Sequence, residues 1–464
     1  MSGSTEKVSW STVIAYGAPA AGAGYMYLLL SLYVMKFATD ILLIAPAVMG
    51  VIYSLSRLWD AVSDPLVGYL SDRTQTRLGR RRTWMLASCI PIGAGFYMVF
   101  SPPVDLSSTG LIVWMGIAVI GFYSAMTLFY VPHLSLGAEL SDDYHERSRM
   151  FGVRHAAYIL GSILSLVSLQ ILINAEYAPD GDVRSAASDL ATVAVLVMVV
   201  LVIFAVIRLR ERPEFQGRVK AGPFKAFVDV WQNKHSRLLL IVTFIEYVGS
   251  SAIAALTLYV THYIVGTPTL APLIIFAYML PSSASVPLWV PLSKRFGKIR
   301  VWIGGMLLTA LSFGGMFLLP FIEDQSMRVI WIFTMAFFGG LANGCGGTLG
   351  PSVQGDVIDY DEYLTGERKE GAYFAAWNFM QKSALGLMLL LTGFVLEFAG
   401  FVPNAEQSMQ TKIAMVTLYG LFPLVCYVVG AIMFSRFSLD ETEHAKIQEA
   451  LRLRGSGEAT QQSA

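Results

Sequence analysis

Charge is scarce in this chain. Asp, Glu, Lys and Arg make up only 14% of its 464 residues, against about a quarter in a soluble domain. The formal net charge is zero, so no basic surface calls for a nucleic-acid partner. Cysteine is nearly absent too. Cys89, Cys345 and Cys426 lie far apart inside apolar runs, without the spacing of a metal site or a disulfide framework, and read as packing residues. No cleavable leader is apparent, because MSGSTEK runs directly into the first apolar stretch. A glycine-rich phosphate loop, a nucleophile elbow, a nucleophile–base pair and a metal cluster are all missing. An enzyme is therefore not expected, and neither is a resident cofactor.

What fills the chain is apolar sequence, 55% of residues, with a mean hydropathy of +0.57. Runs such as Leu190–Ile207 and Val301–Pro320 are long enough to cross a bilayer. Twelve spans are predicted, at 11–39, 43–70, 83–101, 111–133, 149–175 and 186–208, then 237–264, 269–293, 298–320, 327–352, 373–399 and 411–436. The fold class is all-α integral membrane, and twelve spans suit a carrier.

Loop charge orients the spans. Arg73, Arg77, Arg80, Arg81 and Arg82 follow span 2, Arg147 and Arg149 follow span 4, and Lys294, Arg295, Lys298 and Arg300 follow span 8. Basic residues from Arg208 to Lys234 crowd the connector after span 6, whereas 102–110 has none and 176–185 has only Arg184. The excess of positive charge on one side predicts cytoplasmic termini. The expected organisation is an N-terminal six-helix bundle at 1–208, a cytoplasmic connector at 209–236, a C-terminal bundle at 237–436 and a tail at 437–464. DRTQTRLGRRRTW after span 2 is echoed by SKRFGKIRVW after span 8, as expected of two related halves.

The stretch RLWDAVSDPLVGYLSDRTQTRLGRRRTW carries the sharpest candidate site. Arg57, Asp60 and Asp64 are three, four or seven residues apart and share one helix face. Ionisable residues inside a membrane are costly and mark ion or substrate sites by default. Two carboxylates one turn apart offer an oxygen-rich corner for a monovalent cation, or hold a proton. Ser56 and Ser63 are further oxygens, Arg57 neutralises one acid when the cation leaves, and Pro65 opens the backbone ladder nearby. A structural ion-pair network is the alternative. Lys382, in WNFMQKSALGL, is a candidate partner for this pair across the halves, or a lysine snorkelling to the headgroups. Glu246, in IVTFIEYVGSS, either receives a polar substrate group or a proton, or pairs with a buried hydroxyl. His133 and Tyr130, in LFYVPHLSLGAEL, either line the pathway or are satisfied structural residues.

GDVIDYDEYLTGERKEGAY reads as a mixed-charge loop before span 11, without calcium-loop spacing. Its Asp356, Asp359, Glu362 and Arg368, with Arg147 of the 4–5 loop, form a candidate cytoplasmic gate in which acids answer the arginines of the N-terminal loops. A solvated loop is the alternative. FFGGLANGCGGTLG offers small residues for close crossing, or a broken helix lining a cavity. Tyr16, Tyr25, Tyr27, Tyr33, Trp59 and Trp377 either stack on a substrate or anchor at the interface.

The span-2 stretch, VPHLSLGAELSDDYHERSRM and GDVIDYDEYLTGERKEGAYFAAWNFMQKSA together resemble the glycoside–pentoside–hexuronide:cation symporters, a branch of the major facilitator superfamily that includes the melibiose permeases. The resemblance runs along nearly the whole chain. It implies a twelve-helix major facilitator fold of two pseudo-symmetric six-helix bundles, monomeric among membrane lipids. It also implies sodium- or proton-coupled uptake, with the cation at Asp60 and Asp64, and Arg57 and Lys382 as coupling residues. Melibiose permeases hold the galactoside with aspartates in spans 1 and 4, which correspond here to Gly24 and Tyr130; GAPAAGAGY contains no acid at all. A melibiose-like substrate is therefore disfavoured. Another sugar or glycoside would be held by Tyr25, Trp59, Tyr130, His133, Glu246, Trp377, Asn378 and Gln381. YVP at 130–132 also resembles the sodium-dependent lysophospholipid transporters, so an amphipathic substrate such as a lysophospholipid or steroid-like acid is the competing expectation. The resemblance places the carrier in a bacterial-type inner membrane.

Overall fold

The computed structural model describes residues 8–140, 144–211, 230–366, 370–439 and 443–451. Among them there is no strand. Helix α1 (Trp10–Lys36) runs into a π-turn at Phe37–Ile41, and α2 (Pro46–Arg73), α3 (Arg80–Phe100), α4 (Ser108–Glu139), α5 (Tyr144–Tyr177) and α6 (Val183–Arg208) follow. The chain continues through α7 (Lys234–Val260), α8 (Ala271–Ala284), α9 (Val286–Phe296), α10 (Lys298–Met316), α11 (Gln325–Thr365), α12 (Glu370–Phe398), α13 (Met409–Val416) and α14 (Phe422–Phe434). A short helix over 443–451 lies beyond. Six of the helices start on a polar side chain that accepts from the first turn: Ser9, Ser107, Asp182, Asn233, Asp324 and Ser408.

Ten of the described helical segments are long and apolar enough to cross a membrane, and α8 with α9, bent by 46°, makes an eleventh. Helix α2 is the twelfth. It has 28 residues but carries Arg57, Asp60 and Asp64, so composition alone does not pick it out. Large apolar side chains such as Ile90, Leu311 and Phe398 are exposed on the outside of the spans, as lipid requires.

Two expectations are corrected. The charged stretch after Pro351 is not a loop: α11 continues to Thr365, where Gly366 caps it at φ 72°. Val353, Val357, Ile358 and Asp361 are buried along this stretch, a helical period that keeps the chain coiled despite its charge. FFGGLANGCGGTLG is likewise unbroken. Its glycines serve close approach, since a Cβ on Gly340 would lie 2.1 Å from the Tyr278 carbonyl oxygen and one on Gly344 2.4 Å from that of Ser282. The broken span is instead α8–α9, where Pro281 stands inside α8 and Ser285 turns its hydroxyl to the Leu341 carbonyl at 3.1 Å.

The residues gather into two compact units, one from 1–220 with 268–272 and 389–406, the other from 221–267, 273–388 and 407–464. In the first, α1 and α5 pack through glycine. A Cβ on Gly24 would meet the Tyr158 carbonyl oxygen at 2.1 Å, and one on Gly161 that of Ala21 at 1.8 Å. The arginine loop is answered inside the same unit. Arg80 pairs with Glu139 at 2.8 Å, and Arg81 with Asp72 and Glu139. The Glu211 carboxylate accepts from the backbone N–H groups of Arg80, Arg81 and Arg82 at 2.9, 2.8 and 2.9 Å. These are orphan donors of the α3 N-terminus, where the helix dipole favours an anion. Glu211→Ala is expected to lower stability by about 1–2 kcal/mol, read as a reduced Tm of purified protein in detergent; an unchanged Tm would remove Glu211 as a cap.

Candidate functional site

The span-2 cluster forms on one face of α2 against α4. Arg57 Nη1 donates to Asp60 Oδ2 at 2.9 Å, and its guanidinium lies 3.3 Å over the Tyr123 ring centroid. Thr127 Oγ1 donates to Asp64 Oδ1 at 2.8 Å. Tyr123 and Thr127 are four residues apart, so one face of α4 presents both. Asp60, Arg57 and Ser63 are buried, whereas Asp64 is half-buried. Of the two serines expected to offer oxygen, Ser56 bonds the Tyr53 carbonyl of its own helix at 2.7 Å. Ser63 Oγ is buried without a hydrogen-bond partner, one residue from Asp64. Trp59 is partly exposed and donates to Ser124 Oγ at 2.9 Å. The corner thus combines two carboxylates and a spare hydroxyl, oxygens suited to a hard monovalent cation or a proton, with a guanidinium that already occupies one acid.

Three expected substrate residues in this unit make contacts within the helix bundle. Gly24 is a packing glycine without room for a side chain in this structure, its Cβ position taken by the Tyr158 carbonyl oxygen at 2.1 Å. His133 is fully buried, its Nε2 2.8 Å from the Tyr16 carbonyl oxygen, its Nδ1 without a hydrogen-bond partner, and its ring stacked on Phe129 at 4.9 Å. Tyr25 donates to Ser168 Oγ at 2.7 Å. Tyr130 remains half-buried, with the Arg154 guanidinium 5.0 Å over its ring.

The other unit holds a cavity of about 330 Å³ bounded by Glu246, Tyr247, Trp302, Asn343, Trp377 and Gln381, near the lower end of small-molecule sites, about 300–1,000 Å³. Tyr278 and Tyr427 also line it. Glu246 is 9% exposed and makes no ion pair among the described residues. Beside it, the Trp302 indole N–H is buried without a hydrogen-bond partner. The Glu246 carboxylate and the Trp302 indole N–H therefore stand side by side on one space walled by indoles and amides, a surface for a polyhydroxylated ring. The structure brings Glu246, Trp377 and Gln381 together here, while Asn378 is exposed and is not among the lining residues. Lys382 is half-buried, one residue beyond Gln381 on α12.

The gate acids meet partners of their own unit. Asp356 accepts from Lys298 Nζ at 2.7 and 2.9 Å and lies 3.6 Å from His444. His444 Nε2 and Gln448 Nε2 contact Asp359 at 3.0 and 2.6 Å, which docks the 443–451 helix on α11. Lys298 and His444 thus stand where arginines of the N-terminal loops were expected opposite Asp356. Glu362 is half-buried. Arg368 and the side chain of Arg147 lie outside the described residues.

Sequence reasoning missed Arg154, Tyr123, Thr127, Trp302 and Asn343. Spacing contained a signal for Arg154: it sits seven residues before Gly161, two turns along the face that α5 turns to α1. Trp302, read from sequence, is only the residue at which the chain enters its span.

The comparisons agree with this architecture. The solved structure of a D-xylose–proton symporter superposes with a TM-score of 0.66 over 92% of this chain and 97% of that one, at 14% identity, and bears on the fold alone. The inner membrane symporter YicJ of Escherichia coli (strain K12) is 27% identical over 95% of this chain and 94% of its own. The isoprimeverose transporter of Lactiplantibacillus pentosus is 26% identical over 94% and 90%. The family described as MFS/sugar transport protein matches residues 15–441. Such proteins are carriers rather than enzymes, and this chain, a multi-pass membrane protein of the twelve-helix major facilitator fold, belongs to that family.

Proposed function

We propose that the protein is a cation-coupled symporter that carries a sugar or glycoside across an inner membrane by alternating access, with both termini in the cytoplasm. The observation that carries the substrate reading is the cavity of Glu246, Trp302, Trp377, Asn343 and Gln381. Its lining adds amides, hydroxyls and a carboxylate to indole and tyrosine faces, groups that suit sugar hydroxyls and a sugar ring face. Relatives named as an inner membrane symporter and an isoprimeverose transporter support it.

In this reading Na⁺ or H⁺ enters at Asp60 and Asp64 and displaces Arg57 from Asp60. Substrate follows, Lys382 couples the two events, and the acids Asp356, Asp359 and Glu362 take part in closing the inner mouth. A charge moving down the potential supplies about 2.3 kcal/mol per 100 mV.

The test is uptake into proteoliposomes of the purified full chain, under a sodium or a pH gradient, with pentosides, hexosides, uronides and lysophospholipids offered in parallel. Gradient-driven uptake of a sugar is expected. Lysophospholipid uptake without any sugar uptake would overturn the reading. Glu246→Gln is expected to weaken sugar binding by about ten- to hundredfold, the loss of one charge-assisted hydrogen bond; unchanged Kd in the purified variant would remove Glu246 from the site.

A further inference from the structure

We propose that Asn343 ties the sugar cavity to a hinge in the broken span, so that a bound sugar releases the α8–α9 bend. The proposal rests on the sugar-symport reading above and names the positioning residue that passes binding on to motion.

The break is weak along its own backbone. Pro281, Pro287 and Pro291 supply no N–H, so the carbonyls of Ala277, Ser283 and Pro287, four residues before each, lose the donor a helix would offer them. The two helices meet at Ser285 with a bend of 46°. A span thinned in this way takes its angle from the side chains packed on it. Helix α11 supplies them. The Leu341 carbonyl accepts from Ser285 Oγ at 3.1 Å and from Trp289 Nε1 at 2.9 Å. Asn343 Nδ2 donates to Ser282 Oγ at 3.0 Å. Gly340 and Gly344 admit the carbonyls of Tyr278 and Ser282 to the α11 surface. The clamp therefore grips both sides of the break: Asn343 holds α8, and Leu341 holds the turn and α9.

Asn343 differs from Leu341 in one respect. It lines the cavity with Glu246, Trp302 and Gln381, whereas Leu341 and Ser282 are not among the lining residues. Its carboxamide offers two N–H donors and a carbonyl, and sugar hydroxyls compete with Ser282 for that group. One neutral hydrogen bond contributes little net, so the exchange is close to balanced and a ligand tips it. Ser282 is then released, while Ser285 and Trp289, both buried, stay on the Leu341 carbonyl as the pivot.

This exchange has a consequence opposite in sign to that of a packing contact. A sugar that must draw Asn343 off Ser282 binds against that hydrogen bond, and removing the hydroxyl removes the opposition. Kd is measured for 4-nitrophenyl xyloside and 4-nitrophenyl glucoside on purified full-length protein in saturating sodium at fixed pH. Ser282→Ala is expected to bind about three- to tenfold tighter, the release of one neutral hydrogen bond; misfolding does not tighten binding. Ser282→Thr, which keeps a hydroxyl, should return to the wild-type Kd. Asn343→Ala should bind more weakly, and adding Ser282→Ala to it should change nothing further, because the two residues act through one bond. Probes on cysteines introduced at Leu273 and Phe296, both exposed, report the bend, since the native cysteines are buried. Sugar should shift this distance in the wild type, and Ser282→Ala should show part of the shift without sugar. Unchanged or weaker binding by Ser282→Ala, or a wild-type distance that sugar does not move, would overturn the hinge while leaving sugar symport intact. Wild-type protein that binds lysophosphatidylcholine and neither glycoside would sink the symport reading and the proposal with it.

Discussion

Asp60→Asn carriers are expected to lose gradient-driven uptake by about a hundredfold or more. Asp60 is 2% exposed and is gripped by Arg57 at 2.9 Å. Breaking a buried pair by neutralising one partner costs about 3–5 kcal/mol, roughly a hundred- to several-thousandfold in an equilibrium. In the proposed cycle the same carboxylate receives the cation, so the substitution removes the ligand as well as the counter-ion of Arg57. Pairing Asp60→Asn with Arg57→Gln separates the effects. The double variant should recover folding, because no buried guanidinium is left uncompensated, yet gain nothing in ion-driven uptake. Asp64→Asn should also abolish coupling, with a smaller loss of stability, since Asp64 is half-buried and held by the Thr127 hydroxyl. Sodium and pH gradients applied separately to reconstituted protein provide the measurement. Coupled uptake at the wild-type rate in Asp60→Asn or Asp64→Asn would sink the site.

Gly161→Val should not yield a folded carrier. A Cβ at this position would lie 1.8 Å from the Ala21 carbonyl oxygen and 2.6 Å from its carbonyl carbon, both backbone atoms of a facing helix that no rotamer change can move. Overpacking a core costs about 1–3 kcal/mol when side chains can adjust; here α1 and α5 must separate, and the cost should exceed roughly 3 kcal/mol. Gly152, on the same helix, has nothing within 4 Å of the place a methyl group would take, and Gly152→Ala should gain up to about 1 kcal/mol from helix propensity. Size-exclusion profiles and Tm of the two variants in the same detergent make the comparison. A monodisperse Gly161→Val with wild-type Tm would show that the α1–α5 contact is looser than its geometry.

Much of this architecture is legible in the chain because membranes punish exceptions. Arg57, Asp60 and Asp64 stand out among apolar neighbours, and the arginines after them mark a helix end, so one stretch indicates both the span and its candidate site. Apolar runs locate the other spans for the same reason. What stays hidden depends on which face of a helix meets which neighbour. Gly24 looks like a vacated ligand position, yet its missing Cβ is room for the Tyr158 carbonyl. Asp356 and Asp359 look like loop residues because charge suggests solvent, but the buried positions between them keep α11 helical. Arg154 is inconspicuous because it lies five residues after a loop arginine, where a basic residue reads as an interface anchor; only its burial distinguishes it. Glu246, Trp377 and Gln381 stand out individually, while their meeting with Trp302 and Asn343 in one cavity depends on helix rotation that spacing does not encode.

The Glu211 cap has a consequence in time. The backbone donors of Arg80 to Arg82 wait for a carboxylate 129 to 131 residues further along the chain. At about 5–20 residues per second, that is a delay of roughly 6 to 26 seconds in synthesis. Glu139 arrives earlier, 58 or 59 residues on, and Asp72 is already present. While α3 is entering the bilayer, the arginine loop therefore carries most of its positive charge unanswered, which is when the charge sets topology. The later acids convert that signal into a folded joint once the decision has been made. In the orientation proposed above, a single loop serves first as an address for the insertion machinery and afterwards as a brace between the start of α3 and the residues just after α6.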